Sequence, residues 1–214
     1  MKVLITAGPT REKIDDVRYI SNYSSGKMGY ALADIAFELN YDVTLISGLV
    51  NISPKHNYHI EFIESADEMH QQVLKYYQDM DILIFAAAVA DFKPLNYHQG
   101  KIKKQIGEQI ISLELIKNPD ILADIASRKS DNQFVVGFAL EAENEINNAI
   151  SKLTSKNCDL IILNSSNKQD SGFNGDNNTI TIIDKKHNIL TFPPMTKVEC
   201  AKTIFTEISK IKKV

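Results

Sequence analysis

Apolar residues along the chain fall into two patterns, short continuous runs and longer stretches with helical spacing. The short runs predict strands at 2–6, 41–48, 58–65, 81–90, 110–116, 133–140 and 158–164. Apolar positions that recur every three or four residues predict helices at 29–40, 66–80, 118–129, 141–157 and 197–211. Two further apolar runs flank a polar turn and predict a hairpin over 179–192.

This alternation of strands and helices predicts an α/β fold of the Rossmann-like, doubly wound kind, with a mostly parallel sheet flanked by helices. The run 81–90 carries no charge from Ile82 to Ala90, which is typical of a strand buried on both faces. Residues 91–116 form an added strand-and-loop excursion, and 179–192 an added C-terminal hairpin. With no internal repeat and no linker, we expect one domain over 1–214.

Two helices have recognisable start signals. Ser24 and Ser25 precede the helix at 29–40 and are candidate N-caps. Asn118 precedes Pro119 at the start of 118–129, which predicts Asn118 as N-cap and Pro119 as the first helical residue.

Charge and composition narrow the class of protein. The 214 residues carry a net charge of −3, so a face that neutralises nucleic-acid phosphates is not expected. No apolar run is long enough to span a bilayer, and no signal peptide is evident, which predicts a cytoplasmic protein without a membrane partner. Cys158 and Cys200 have no metal-ligand spacing and are expected to be reduced, buried or half-buried thiols.

Three long loops follow predicted strands, at 7–25, 91–109 and 165–178. Because ligands bind beyond the carboxyl ends of parallel strands, we expect these loops to meet there, together with Asp91, Phe138 and Asn164. The stretch SNYSSGKMG (21–29) has the character of a phosphate-binding helix start. It matches neither a Walker A loop nor a dinucleotide fingerprint, since the glycines and the residue after Lys27 do not fit.

Several cationic groups occur at these places. The first loop carries Arg11, Arg18 and Lys27, and the second carries Lys101, Lys103 and Lys104. Lys152 and Lys156 are four residues apart on one predicted helix, so both can reach one phosphate chain. Each group taken alone is more typical of a solvated or salt-bridged surface. The five histidines have no regular spacing, which argues against a zinc site or a histidine-activated nucleophile.

A set of motifs occurs along the chain in a fixed order. They are AGPTRE, VRYISN with SSGKMG, AAAVADF, KIKK, KNPDIL, VVGFA and DLIILN, followed by GF with D and N. Together they resemble phosphopantothenate–cysteine ligase (phosphopantothenoylcysteine synthetase) of coenzyme A biosynthesis. The resemblance covers nearly the whole chain. It implies a reaction in which a nucleoside triphosphate converts 4′-phosphopantothenate to an acyl-nucleotide, after which cysteine forms the amide.

The resemblance also implies cofactors and partners. The KIKK element resembles that of the bacterial, CTP-using type, and Mg²⁺ is expected with the triphosphate. The chain resembles a free-standing form without the flavin-dependent decarboxylase half, so no flavin is expected. Family members form homodimers through the excursion after the AAAVAD strand, and a KIKK loop that closes over substrate would exclude water.

Residue roles follow from the resemblance by matching positions. Asn22 resembles the catalytic asparagine, whose amide would donate to a developing oxyanion. Lys101 resembles the lysine needed to form the acyl-nucleotide. Arg18 would support Asn22 or the substrate, and Ala88 joins Arg18 and Asn22 in the expected substrate site. The expected nucleotide-binding residues are Ser24, Ser25, Gly26, Ala86, Ala87, Ala88, Asp91, Lys101, Pro119, Asp120, Ile121, Leu122, Phe138, Lys152 and Lys156; no metal ligand is assigned.

Departures and alternatives stay open at this point. Pro9, Tyr23 and the GFALEAE stretch differ from the usual family pattern. A nicotinamide-dependent reductase would need a compact GxGxxG and a Tyr-x-x-x-Lys pair, which the sequence lacks. A nucleotide-sensing regulator on the same fold, which binds without turnover, is the alternative from another functional class.

Overall fold

The computed structural model describes residues 1–103, 110–141, 143–165 and 177–212. Within these ranges the strands are β1 Lys2–Ala7, β2 Arg11–Lys13, β3 Tyr19–Ser21, β4 Asp42–Gly48, β5 His59–Ile63, β6 Ile82–Phe85, β7 Phe92–Pro94, β8 Leu115–Lys117, β9 Phe134–Glu141, β10 Leu160–Ser165, β11 Asn177–Asn178, β12 Ile180–Asp184, β13 Ile189–Thr191 and β14 Met195–Thr196. The helices are α1 Lys27–Glu38, α2 Ala66–Tyr76, α3 Ile121–Arg128, α4 Glu145–Ser155 and α5 Lys197–Lys212.

Eight strands form the central sheet in the order β13-β12-β10-β9-β6-β1-β4-β5. The six from β10 to β5 are parallel, and the hairpin β12–β13 adds two antiparallel strands at one edge. The predicted α/β doubly wound fold with a C-terminal hairpin is therefore confirmed. Strand order reverses direction at β1, which lies between β4 and β6, and such a switch point opens a crevice at the carboxyl edge of the sheet.

Alternation along the central strands divides the core into two layers. Val3 and Ile5 of β1 pack in one layer with α1 and α5, whereas Leu4 packs in the other with α2, α3 and α4. These strand residues are fully buried, as expected for parallel strands covered on both faces. Loops at the carboxyl edge can therefore reach helices on either side of the sheet.

Two predicted strands are shorter than the sequence pattern indicated. The run 81–90 ends as a strand at Phe85, and the next residues turn away from the sheet. The run 110–116 does not form a strand of the sheet. Only Leu115–Lys117 is extended, and it pairs antiparallel with Phe92–Pro94 in a separate two-stranded arm. Apolar composition predicted extension there, and the part that is extended pairs with β7 instead of joining the main sheet.

Both predicted N-caps are wrong. The N-cap of α1 is Gly26, in the left-handed conformation with φ 80°, and neither Ser24 nor Ser25 caps the helix. Glycine adopts that conformation without the strain that a side chain would bring. The N-cap of α3 is Asp120, whose carboxylate accepts from the Ala123 amide at 3.0 Å. Asn118 and Pro119 precede this helix, because Asn118 uses its side chain elsewhere.

Other expectations can be compared with the described residues. The hairpin β2–β3 was not predicted, since each of its strands has only three residues. Cys158 and Cys200 are free and buried, as predicted. Among the described residues, no helix combines the length and apolar character that a membrane span requires.

Candidate active site

A cavity of about 900 Å³ lies at the carboxyl edge of the sheet. Its floor is formed where β1, β6, β9 and β10 end, at Thr6, Phe85, Phe138 and Asn164. One side reaches the start of α1 and the other reaches α3 and α4. The expected convergence of Asp91, Phe138 and Asn164 is confirmed, because all three line this cavity.

The segment 86–91 crosses the cavity, and polar side chains hold its backbone in place. Thr6 Oγ1 accepts from the Ala87 amide at 3.2 Å, and Thr10 Oγ1 accepts from the Ala90 amide at 3.0 Å. Asn118 Nδ2 donates to the Ala90 carbonyl at 2.8 Å. Side chains thus supply part of the hydrogen bonding of this backbone, and Ala88 also donates to the Gly8 carbonyl at 2.9 Å. The alanines of this segment have little bulk, so a ligand can lie close to this backbone.

Asn22 joins the first loop to this segment. Its Nδ2 donates to the carbonyls of Ala88 at 3.0 Å and Val89 at 3.1 Å, and its side chain lines the cavity. Both amide hydrogens are therefore engaged in this conformation. The expected role as donor to an oxyanion requires one of these bonds to be given up, whereas Oδ1 is available as an acceptor.

The α3–α4 side of the cavity is cationic, as the lysine spacing predicted. Lys152 and Lys156 both line it. The ammonium of Lys152 donates to the Phe138 carbonyl at 2.8 Å, and Lys156 forms an ion pair with Asp120. Burial lowers the pKa of Lys152, an effect that the carboxylate of Glu141 opposes. A bound phosphate here would stabilise the ammonium form of Lys152.

Asp120 combines two functions at this end. Burial acts to raise its pKa, but the hydrogen bonds from Lys156 and the Ala123 amide prevail and lower the pKa below its ordinary value. The carboxylate therefore stays ionised and fixes both the start of α3 and the ammonium of Lys156. A nucleotide phosphate would compete with Asp120 for this lysine.

The start of α1 forms the opposite side of the cavity, lined by Ser24, Ser25 and Gly26. Because Gly26 has no side chain, it gives the first turn no side-chain cap. The first backbone amides of a helix have no partner within the helix, so helix N-termini attract anions. The serines thus lie where the sequence predicted a phosphate-binding element, although neither caps the helix.

Arg18 and Lys101 do not line the cavity. Arg18 forms an ion pair with the fully buried Asp15, in which Nε and Nη2 both donate to Oδ2, and Nη2 also donates to the Ile102 carbonyl at 3.1 Å. Lys101 is exposed on the segment that this pair anchors. Arg11 stacks over the Tyr19 ring at 4.9 Å and donates to the Leu49 carbonyl, so it is also directed elsewhere. The structure therefore does not bring these three cations together with Asn22.

The other predicted site residues do come together. Those that line the cavity are Asn22, Ser24, Ser25, Gly26, Ala86, Ala87, Ala88, Asp91, Pro119, Asp120, Ile121, Leu122, Phe138, Lys152 and Lys156. Asn178 and Lys197 also line it, and neither was assigned as a site residue from the sequence. Asn178 ends the third loop, which was expected to meet the first, and it ends the GF motif with D and N, whereas no motif or spacing related Lys197 to the site. Lys104 and residues 166–176 of the third loop lie outside the described residues.

Comparisons with known proteins place the chain in a family. Residues 1–211 match the model described as the DNA/pantothenate metabolism flavoprotein C-terminal domain. A cysteine/cysteine sulfinic acid decarboxylase from an unknown prokaryotic organism is 47% identical over 208 residues, covering 97% of this chain and 57% of that protein. The coenzyme A biosynthesis bifunctional protein CoaBC of Vibrio cholerae serotype O1 is 44% identical over 185 residues, covering 86% of this chain and 46% of that protein.

A solved structure agrees with these matches over the full fold. The crystal structure of the C-terminal domain of coenzyme A biosynthesis bifunctional protein CoaBC superimposes with a TM-score of 0.84 at 36% identity, covering 99% of this chain and 95% of that chain. The chain spans about half the length of the curated relatives that it matches. The resemblance drawn from the sequence motifs is confirmed at the level of the family. The chain belongs to the DNA/pantothenate metabolism flavoprotein C-terminal domain family.

Proposed function

We propose that this protein is a phosphopantothenate–cysteine ligase of coenzyme A biosynthesis, which uses CTP to join 4′-phosphopantothenate to L-cysteine. One observation supports this most directly. All of the residues that the resemblance assigns to the nucleotide except Lys101, together with Asn22, line one cavity at the switch point of the sheet. A cavity with cationic groups on two sides suits two phosphate-bearing substrates.

In the first step the substrate carboxylate attacks the α-phosphorus of CTP. An oxygen–phosphorus bond forms, the bond to the β-phosphate breaks, and pyrophosphate leaves with the electron pair. Lys152 and Lys156 would hold the phosphate chain, and the backbone of Ala86 to Ala88 would lie against the nucleoside. Such a step depends on positioning and charge neutralisation rather than on a general base.

In the second step the cysteine amine attacks the acyl carbonyl of the acyl-cytidylate. A carbon–nitrogen bond forms, the bond to the CMP oxygen breaks, and the amine gives up a proton. Because both N–H groups of Asn22 bond to carbonyls, its Oδ1 is the atom suited to accept from the attacking amine. Asn22 would therefore orient the nucleophile while it holds the segment 86–91.

Mg²⁺ would accompany the triphosphate. The described ranges contain no group of three or more metal-ligating side chains, which fits Mg²⁺ sites that are completed by substrate phosphates. Asp91 lines the cavity and can supply a carboxylate. The ion would neutralise phosphate charge when bound, and the protein's own lysines would hold the rest of the chain.

Lys101 would act only after its segment moves toward the cavity, since it is exposed and outside the lining. Closure of this segment over bound substrates would bring its charge to the phosphates and exclude water from the acyl-cytidylate. No flavin takes part in the proposed reaction.

The test is pyrophosphate release by the purified protein with 4′-phosphopantothenate and Mg²⁺, with CTP or ATP, and with or without cysteine. We expect CTP-dependent release and cysteine-dependent formation of the amide. Asn22→Asp should accumulate the acyl-cytidylate, because its carboxylate oxygen would face the Ala88 and Val89 carbonyls and disturb the site.

The other outcomes separate the alternatives. Equal or greater activity with ATP would contradict the choice of CTP but keep the ligase. Binding of CTP without any pyrophosphate would favour the regulator. Release of carbon dioxide from cysteine, with no need for a nucleotide, would contradict the ligase and point to the activity for which one relative is named.

A further inference from the structure

We propose that Asn178 and Lys197 form, with the N-terminus of α1, a phosphate subsite on the side of the cavity away from Lys152 and Lys156. The inference rests on the proposed function for the identity of the phosphate but not for the existence of the subsite. Lys197 belongs to α5, which packs with α1 on one face of the sheet, whereas α3 and α4 pack on the other. The cavity therefore has two separate cationic sides.

The first observation concerns the burial and hydrogen bonding of the Asn178 side chain. This side chain is 3% exposed and lines the cavity, and its Oδ1 has no hydrogen-bond partner among the described residues. Within the part of the chain that the structure describes, its Nδ2 has only a weak contact with Met28 Sδ at 3.9 Å. Buried amides are ordinarily hydrogen-bonded, so an amide left in this state indicates a ligand that would complete it. A half-turn of the amide presents Nδ2 to an anion and gives up only the contact to sulfur.

Lys197 is the second observation. It is the first residue of α5, is 7% exposed, and lines the same cavity. It also interacts within the protein, so its assignment depends on its burial and its charge alone. A cation at the N-terminus of a helix is disfavoured by the helix dipole. An anion bound beside it would offset this unfavourable placement.

The start of α1 supplies the third component. Its N-cap Gly26 provides no side-chain cap, and its first turn contains no acidic residue. The helix is pressed against β1, since a Cβ on Gly29 would lie 2.4 Å from Ala7 Cβ. Its first amides therefore lie at the end of the central strand. Anion binding at such a terminus is favourable, and Asn178 and Lys197 would add an amide donor and a positive charge to it.

Two substrates could deliver that phosphate, the triphosphate of the nucleotide or the 4′-phosphate of phosphopantothenate. The experiment measures dissociation constants by calorimetry for pyrophosphate, CTP and 4′-phosphopantothenate separately. The variants are Lys197→Met, Asn178→Asp and, as a matched control, Lys202→Met, which removes an exposed lysine of the same helix. Thermal unfolding of each variant checks that it folds.

We expect Lys197→Met and Asn178→Asp to weaken one class of ligand at least about tenfold, with Lys202→Met within about twofold of the wild type. A change for pyrophosphate and CTP would assign the subsite to the nucleotide, and a change for 4′-phosphopantothenate alone would assign it to the second substrate. Unchanged binding of all three ligands would overturn the subsite. If Lys197→Met does not fold, Asn178→Asp decides.

These binding measurements do not need turnover, so they distinguish failure of the subsite from failure of the proposed function. A protein that binds pyrophosphate through Lys197 but never forms the amide would keep the subsite and contradict the ligase. An active ligase that binds its ligands equally well with either substitution would keep the proposed function and contradict the subsite.

Discussion

Asp15 shows how one buried carboxylate can organise two loops. Its side chain is fully buried and accepts from the amides of Val17 at 2.9 Å, Arg18 at 2.8 Å and Ile102 at 3.0 Å, besides the Arg18 guanidinium. The first loop is thereby tied to the segment that carries Lys101. The hydrogen bonds from Arg18 are the main cause that lowers the pKa of Asp15 below its ordinary value of 3.8.

Asp15→Asn should lower the free energy of unfolding at neutral pH, and this loss should be smaller at acidic pH. Because the pKa is lower in the folded state, Asp15 contributes stability that is complete above 3.8 and is lost as the pH falls through the folded value. The difference between variant and wild type in the free energy of unfolding should therefore narrow below pH 3.8. Urea unfolding across acidic and neutral pH measures it.

Asp16→Asn is the matched control for this prediction. Asp16 is exposed and accepts from the Gly100 amide at 2.8 Å, so it also contacts the second loop. Its loss should cost less stability than the loss of Asp15. Equal losses in the free energy of unfolding for the two variants at every pH would contradict the prediction for Asp15.

Residue identities at the site were predictable only where a motif carried them. Asn22, Lys152 and Lys156 belong to recognisable stretches, and the structure brings all three to the cavity. Asn178 ends the third loop, which was expected at the site without a role for this residue, whereas Lys197 belongs to no motif; both reach the cavity through tertiary packing. Arg18 was assigned by its place in a motif, yet the adjacent Asp15 captures its guanidinium. A pattern of residue types does not show with which carboxylate an arginine or lysine forms its ion pair.

At the scale of elements, the segment 86–91 is the part of the fold that most directly shapes the site. Beyond the end of β6, side chains bond the amides of Ala87 and Ala90, whereas Ala88 keeps a backbone bond to the Gly8 carbonyl at 2.9 Å. Thr10 is fully buried and satisfies the Ala90 amide. The shape of this backbone therefore depends on hydroxyls and amides from β1, from the first loop and from Asn118.

Thr10→Val tests this dependence, because it keeps the shape of the side chain and removes the acceptor of the Ala90 amide. An unsatisfied buried amide costs about 1–3 kcal/mol, so we expect a loss of this size in the free energy of unfolding. Weaker binding of CTP should accompany it. Thr10→Ser retains the hydroxyl and should keep CTP affinity; equal CTP affinity in both variants and the wild type would contradict the argument.

The same segment explains where sequence patterns mislead at this scale. A run without charge from Ile82 to Ala90 predicts a long strand, but hydrophobicity cannot show that side-chain acceptors end it at Phe85. Similarly, Ser24 and Asn118 are good N-caps by type, whereas Gly26 and Asp120 hold those positions. In each case a tertiary hydrogen bond or a backbone conformation overrides a local preference.

For the whole molecule, alternation of strands and helices was sufficient to predict the architecture. The order of the strands around β1 was not predicted, whereas the antiparallel hairpin follows from two apolar runs around a turn. The excursion was predicted as an addition, but its pairing as a separate two-stranded arm was not. Its apolar residues have no place in the core of one chain.

This arm is the feature that supports a homodimer. Large apolar side chains are exposed along it, with Ile110 82% and Ile111 52% exposed. The others are Phe92, Leu95, Tyr97, Leu113, Leu115 and Ile116, each more than two fifths exposed. Exposed apolar side chains grouped on one arm are typical of an interaction site, and a second copy of the chain is the partner that the family resemblance implies.

We therefore predict that the wild type is a dimer in solution, with twice the mass of one chain. Ile111→Asp combined with Leu113→Asp should raise the dimer dissociation constant at least about tenfold, since buried charges without partners oppose association. Light scattering over a range of concentrations measures it. Phe62→Asp, at a side chain 60% exposed on the edge strand β5, is the control and should leave the dimer intact. A wild type that is monomeric at every concentration would contradict the dimer. Because β7 packs beside β2 and the arm continues into the segment with Lys101, the arm variant should also lose ligase activity in proportion to its monomer fraction.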